Sequence, residues 1–330
     1  MKQIAILGAG AMGTACAWIC AQRGDVHVRL WARNPEYAEQ IQRTRENARL
    51  LPAVKLPVCV TVTSAPAIAL AESEVVIVCV PTRGLREALI TLAPWIPREA
   101  LLVSSIKGIE NSTLLRPSQI LQECCGARPV VVLGGPCHAE EITQRKPASI
   151  VAACDVLSAA EEVQSLLSTE FLRIYANDDQ SGVELAAALK NVIAIAAGIC
   201  DGLDFGDNAK SALITRGLAE MVRFGVAFGA DRKTFYGLAG LGDLVTTCNS
   251  VHSRNRAVGE KLGQGQSLAS IQSGMQSVAE GVLTTRSVFE IAQQRRIDMP
   301  IVTQVYRVLF EGKSPLEATM ELMQRPLKFE

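Results

Sequence analysis

Two stretches of the chain combine residue types at a spacing that does chemistry. GAGAMG places Gly8, Gly10 and Gly13 in the G-x-G-x-x-G pattern directly after the apolar run IAIL. In that pattern the first glycine permits a tight turn, the second lets backbone approach a pyrophosphate, and the third lets the next helix lie close to the sheet. The helix N-terminus that follows offers N–H groups and a favourable dipole to phosphates. Glycines at a strand-to-helix turn also serve packing alone. Here strand, turn, helix and second strand follow in order within the first 31 residues, which favours dinucleotide binding.

The second strand, VHVRLW (26–31), is followed by Ala32, Arg33 and Asn34, where an acidic residue would hold the ribose hydroxyls of NAD. Arg33 can pair with a 2′-phosphate, so the cofactor expected is NADP or NAD, with NADP preferred. The alternative is an ordinary surface arginine at a strand end.

The other stretch is AALKNVIAIAAGIC (187–200), with Lys190 and Asn191 inside an apolar run. On a helix, the turn neighbours of Lys190 at 186, 187, 193 and 194 are Ala, Ala, Ile and Ala, so the lysine has no solvent face. Either its stem lies on apolar surface with the ammonium reaching an edge or a carboxylate, or it lines a cleft and exchanges a proton with a substrate oxygen. Asn191 adds a second hydrogen-bonding group. Further along, Asp243 of LGDL reads by itself as a helix cap. HSRNR (252–256) reads as an exposed helix start with Ser253 as its cap and solvated arginines, or as an anion site. The three histidines, His27, His138 and His252, have no ligand spacing, so no metal is expected.

The elements that must position these residues follow from length and pattern. A chain of 330 residues suggests two domains. IAILG (4–8), VHVRLW (26–31), VVIVCVP (75–81), LLVSSI (101–106), VVVLGGP (130–136) and SIVAAC (149–154) read as buried parallel strands, with crossover helices between them. After Asp178 the β-branched runs give way to Ala, Leu, Arg and Glu patterns. The expectation is an α/β protein: a Rossmann-type doubly wound sheet over residues 1–180 and an all-helical substrate domain over 181–330.

Charge excludes some partners. The 33 Lys and Arg balance the 33 Asp and Glu, so nothing calls for nucleic acid or an anionic membrane, and small molecules are the expected partners. The ten cysteines include no C-x-x-C pair and read as buried thiols of a reducing compartment. The chain opens on a strand-like run rather than a leader, which points to the cytoplasm. The longest apolar stretch, Leu185 to Cys200, reads as too short for a membrane span. A homodimer is the default assembly.

LKNVIAIAAGICDGLDFGDNAKSALITRGLAEM (189–221) resembles the signature helix pair of bacterial NAD(P)-dependent glycerol-3-phosphate dehydrogenases. SIKGIE (105–110), GGPCHAEEI (134–142), GLAGLGDLVTTC (237–248), HSRNRAVG (252–259) and SVAEGV (277–282) are similar to that family's blocks, in the family's order. The resemblance implies reduction of dihydroxyacetone phosphate to sn-glycerol 3-phosphate with NADPH or NADH, for phospholipid synthesis. It implies Lys190 as the proton-transferring residue, with Lys107, Gly135, Cys137, Asp243, Ser253, Arg254 and Asn255 around the substrate, where Asn191, beside Lys190, is a further candidate hydrogen-bonding group. For the cofactor it implies the turn residues with Ala11 and Met12, then Arg33, Lys107, Ala139, Arg254, Val278 and Glu280.

Two positions depart from the family. Ala11 and Met12 stand where Ser followed by Trp or Tyr is more usual, which replaces an aromatic contact by thioether packing. Cys137 stands where Ser or Thr is usual, and a thiol is the poorer hydrogen-bond partner. Within the same fold the competing function is a ketopantoate reductase or related hydroxyacid dehydrogenase. From another class, a catalytically silent NADP-binding regulator would keep the fingerprint without needing Lys190.

Overall fold

The computed structural model describes residues 1–275, 279–327 and 329. The chain divides into two compact units, one of Met1–Lys107 with Leu115–Val183, the other of Gly108–Leu114 with Glu184–Glu330.

The first unit is a sheet with helices. Its strands are β1 (Lys2–Leu7), β2 (Val26–Trp31), β3 (Glu46–Asn47), β4 (Leu51–Lys55), β5 (Val60–Thr63), β6 (Val75–Val78), β7 (Leu101–Ser104), β8 (Val130–Gly134), β9 (Ala148–Ala153) and β10 (Leu172–Asn177). Its helices are α1 (Ala11–Cys20), α2 (Pro35–Thr44), α3 (Pro66–Leu70), α4 (Thr82–Leu92), α5 (Pro117–Cys125), α6 (Ala139–Thr143) and α7 (Leu157–Leu167). Eight strands form one sheet in the order β10-β9-β8-β7-β6-β1-β2-β5, and β3 pairs with β4 alone. Along β1, Ile4 and Ile6 enter one core layer while Ala5 and Leu7 enter another. Period-two alternation between two buried faces is why this strand reads as a continuous apolar run. The chain runs from β1 through β2 to β5 on one side, then resumes at β6 on the other. That reversal puts the topological switch point, where doubly wound sheets bind ligands, at the carboxyl ends of β1 and β6.

One expectation about the sheet is corrected, and two strands join it that the apolar runs did not indicate. The 149–154 run does not join as a parallel strand: β9 pairs antiparallel with β8, while every other neighbouring pair in this sheet is parallel. A parallel return needs a crossover spanning the strand, and α6 has only five residues, about 8 Å of helix. In addition, β5 (VTVT) and β10 (LRIYAN) carry polar residues at alternate positions. Both are edge strands, which lack the continuous apolar signature of buried ones.

The second unit is helical, and α8 (Gln180–Gly202) feeds into it. It continues with α9 (Gly206–Val226), α10 (Asp243–Asn249), α11 (Arg254–Gly263), α12 (Leu268–Ser273), α13 (Glu280–Arg295), α14 (Pro300–Phe310) and α15 (Pro315–Met323). The helix α8 is 23 residues long and apolar enough to cross a membrane by length and composition, so the length argument from residues 185–200 fails. Its whole apolar window is nevertheless buried inside the protein, the mark of a core helix apolar on all sides. The crossing of α8 and α11 depends on glycine: a Cβ on Gly198 would lie 1.9 Å from the Arg256 carbonyl oxygen, and one on Gly259 would lie 1.9 Å from that of Ile195. On α9, Glu220 accepts hydrogen bonds from the N–H groups of Ile301 (2.7 Å) and Val302 (3.2 Å). It thereby satisfies two otherwise orphaned donors at the start of α14.

Candidate active site

The glycine-rich turn lies at the carboxyl end of β1, beside that of β6. Gly8 has φ +111°, and a Cβ there would press 3.1 Å from the Cys79 backbone. A Cβ on Gly13 would lie 1.8 Å from the Gly8 carbonyl oxygen, so only glycine lets α1 start this close. Gly10 is the N-cap of α1 and gives no side-chain cap bond, while a Cβ on it would meet nothing within 4 Å. An uncapped helix start with open space beside its N-cap fits a dinucleotide pyrophosphate. Ala11 and Met12 form the first turn of α1, and Met12 packs against the core.

Other residues expected on the cofactor side are placed separately within this unit. Arg33 is exposed just beyond β2, and the neighbouring Asn34 caps α2 by accepting from the Tyr37 N–H at 2.8 Å. Lys107, after β7, donates to the Gly135 carbonyl and to the Cys137 sulfur, each at 3.3 Å. Ala139 is buried at the first position of α6. The structure brings Lys107, Gly135 and Cys137 together, and Cys137 is a direct partner of the lysine.

In the helical unit, the Lys190 ammonium is buried and donates to Asp243 Oδ1 and Thr247 Oγ1, each at 2.6 Å. Thr247 in turn donates to Asp243 Oδ1 at 3.4 Å. The reading of Asp243 as a cap is not what forms: Gly242 is the N-cap of α10, with no side-chain cap bond, and the Asp243 carboxylate faces Lys190. Residues 243 and 247 share a face of α10 because they are one turn apart. Thr247 was missed by the sequence reading, although that i,i+4 spacing from Asp243 is its signal. Beside it, burial pushes the Cys248 thiol up to about 12, against the pull of Lys190, so it is an inert packing residue.

The SRN segment begins α11. Ser253 is buried and accepts from the Arg256 N–H at 3.3 Å, which is the capping role. Arg254 is exposed at the first helical position. Asn255 is committed elsewhere on its carbonyl side: its Oδ1 accepts from the Gly281 N–H at 3.0 Å, capping α13 across the fold. Asn191 is buried and donates weakly to the Ala187 carbonyl of its own helix at 3.4 Å. Glu280 opens α13, and Val278 lies outside the described residues. A tie the sequence did not reveal holds this segment, with Arg256 Nε on Asp201 at 2.6 Å and Lys210 on the same carboxylate at 2.9 Å.

A buried ammonium held by a carboxylate and a hydroxyl is equipped to give a proton to an oxygen, and the glycine-rich turn to hold a nucleotide. Residues 3–160 match the N-terminal part of the NAD-dependent glycerol-3-phosphate dehydrogenase family, and residues 179–320 match its C-terminal part. A glycerol-3-phosphate dehydrogenase [NAD(P)+] of Lysinibacillus sphaericus is 46% identical over 100% of this chain and 98% of its own length. The crystal structure of a glycerol-3-phosphate dehydrogenase from Coxiella burnetii superposes with a TM-score of 0.94 at 36% identity, covering 98% of this chain and 99% of that one. A ketopantoate reductase from Ralstonia eutropha reaches only 0.60 at 16% identity, covering 96% and 100%, a likeness of fold alone. The chain therefore belongs to the NAD-dependent glycerol-3-phosphate dehydrogenase family, an NAD(P)-dependent oxidoreductase family.

Proposed function

We propose that the protein catalyses the reversible reduction of dihydroxyacetone phosphate to sn-glycerol 3-phosphate, with NADPH preferred over NADH. The observation that carries this reading is the buried Lys190, held by Asp243 and Thr247 at 2.6 Å each. The nicotinamide supplies the hydride when bound. Lys190 gives its ammonium proton to the carbonyl oxygen as that oxygen gains charge, and takes it back in the reverse direction. Asp243 and Thr247 aim the ammonium. Arg254, with Ser253 and Asn255, holds the phosphate. Lys107, Gly135, Cys137 and Asn191 complete the substrate contacts.

Residues 1–180 carry most of the cofactor contacts: Gly8, Gly10, Ala11, Met12, Gly13, Arg33, Lys107 and Ala139. Residues 181–330 supply the proton and the phosphate contacts, with Arg254, Val278 and Glu280 also assigned to the cofactor. The exposed position of Arg33 at the end of β2 supports pairing with a 2′-phosphate. The ten free cysteines and the membership of the family support a cytoplasmic enzyme feeding glycerophospholipid synthesis, with a homodimer as the default assembly. Incubation with NADPH and dihydroxyacetone phosphate, followed by nicotinamide absorbance, tests the reading. Oxidation of NADPH is the expected result. No oxidation with this substrate, or oxidation with ketopantoate instead, would overturn it.

A further inference from the structure

We propose that the β3–β4 hairpin is a strap that holds the glycine-rich turn in its dinucleotide-binding shape, and that Asn47 is its positioning residue. The inference rests on the reading of that turn as the cofactor site. Asn47 is fully buried, and each side of its amide is used. Its Nδ2 donates to the Ala9 carbonyl at 3.1 Å and to Thr14 Oγ1 at 2.7 Å. Its Oδ1 accepts from the Tyr37 hydroxyl and from the Leu50 N–H at 3.2 Å. That uses both donors and both acceptor sites of the side chain.

The partners divide by location. Tyr37 lies on α2 and Leu50 in the hairpin itself, whereas Ala9 lies inside the turn between Gly8 and Gly10, and Thr14 lies on α1. An asparagine that only closed the hairpin would need its bond to Leu50 and nothing from the turn. In a trans peptide the C=O and the following N–H point to opposite sides. Anchoring the Ala9 carbonyl on Asn47 therefore turns the Gly10 N–H away from the hairpin. A Cβ built on Gly10 meets nothing within 4 Å, so there is room beside this backbone for an anion.

The apolar contacts act at the same places. Leu51 of β4 packs with Ala15 of α1 and Ala139 of α6, with Ala11 and Val54 alongside. Ala11 and Ala139 are both assigned to the cofactor. The hairpin is a two-stranded sheet apart from the main one, and its β3 strand has only two residues. A two-stranded hairpin is marginal by itself, so these contacts hold hairpin and turn in one arrangement.

The test is a fluorescence titration of NADPH into the full-length protein and into Asn47→Ala, Asn47→Asp and Tyr37→Phe, with steady-state kinetics on each. Asn47→Asp keeps an acceptor for Tyr37 and Leu50 but removes the donor to Ala9. We expect both Asn47 variants to raise the NADPH Kd about tenfold, the factor that ~1.4 kcal/mol represents. At saturating NADPH, kcat should stay within about twofold, because no reacting group is touched. Tyr37→Phe, on a half-buried residue, should fold even if the Asn47 variants do not, and should weaken NADPH by a smaller factor. NADPH affinities within about twofold of the original in every variant that folds would overturn the strap, whatever happens to Tm. An original protein that binds no NADPH would instead sink the cofactor reading on which the inference stands.

Discussion

Lys190 and Asp243 are 53 residues apart in sequence, yet Nζ and Oδ1 lie 2.6 Å apart with both side chains buried. A buried ion pair is weak evidence of stabilisation, since desolvating two charges offsets their attraction. Its value here is orientation: Asp243, with Thr247, fixes where the ammonium points.

Lys190→Ala should lower kcat by about 10² or more, the usual worth of general acid–base catalysis. Alanine suits a helix, but the substitution strands the buried Asp243, and breaking such a pair costs about 3–5 kcal/mol. A fall in Tm should therefore accompany the rate loss. Turnover measured on the folded, NADPH-bound fraction separates the two effects, and a near-original rate there would make Lys190 purely structural.

Arg33→Ala should raise KM for NADPH selectively and leave KM for NADH nearly unchanged, because a guanidinium forks onto a 2′-phosphate that NADH lacks. Comparing kcat/KM for both cofactors before and after the substitution decides it. Equal efficiency with both in the original protein would count against the assignment.

Arg254→Ala should weaken dihydroxyacetone phosphate far more than unphosphorylated dihydroxyacetone, since remote binding energy orients the carbonyl. Lysine should rescue only in part, supplying charge without the fork. NADPH affinity is measured separately, because Arg254 is also assigned to the cofactor. The same fractional loss of kcat/KM for both substrates would remove Arg254 from the phosphate.

Stability should fall as pH rises from about 4.5 towards 7 through one identifiable group. Burial pushes Glu220 from 4.5 up to about 7, against the pull of the Ile301 and Val302 N–H groups and of Arg223, with Asp298 adding to the rise. A raised carboxyl binds its proton more tightly in the folded than in the unfolded state, so the folded state gains relative stability below 4.5 and loses it through 7. Tm measured across pH 4.5 to 8 should show this slope, and Glu220→Gln should flatten it. An unchanged slope in that variant would assign the dependence to other groups.

Much of the architecture was legible in short runs. Strands such as VVIVCV and IAILG are apolar because both their faces are buried, and glycine at 8 and 13 is set by backbone approach, a local constraint. The run around Lys190 likewise announced a buried lysine, because its turn neighbours are all apolar. What it left open was the partner. The identity of Asp243 and Thr247 depends on how α8 packs beside α10, and no local pattern encodes that. The same holds for Asn255, which reads as a ligand residue in SRN but spends its carbonyl on the Gly281 N–H of another helix. It holds for Asn47, an unremarked residue in RTRENARL until the hairpin folds onto the turn. The edge strands and the antiparallel β9 were hidden for the same reason, since an edge has polar alternation and strand direction depends on the length of the connection. Sequence by itself determined which segments are buried and which backbone positions must be glycine, because burial and sterics act on each residue where it stands. Tertiary structure alone decided which polar groups meet, because a hydrogen bond between helices is fixed by the packing of whole elements.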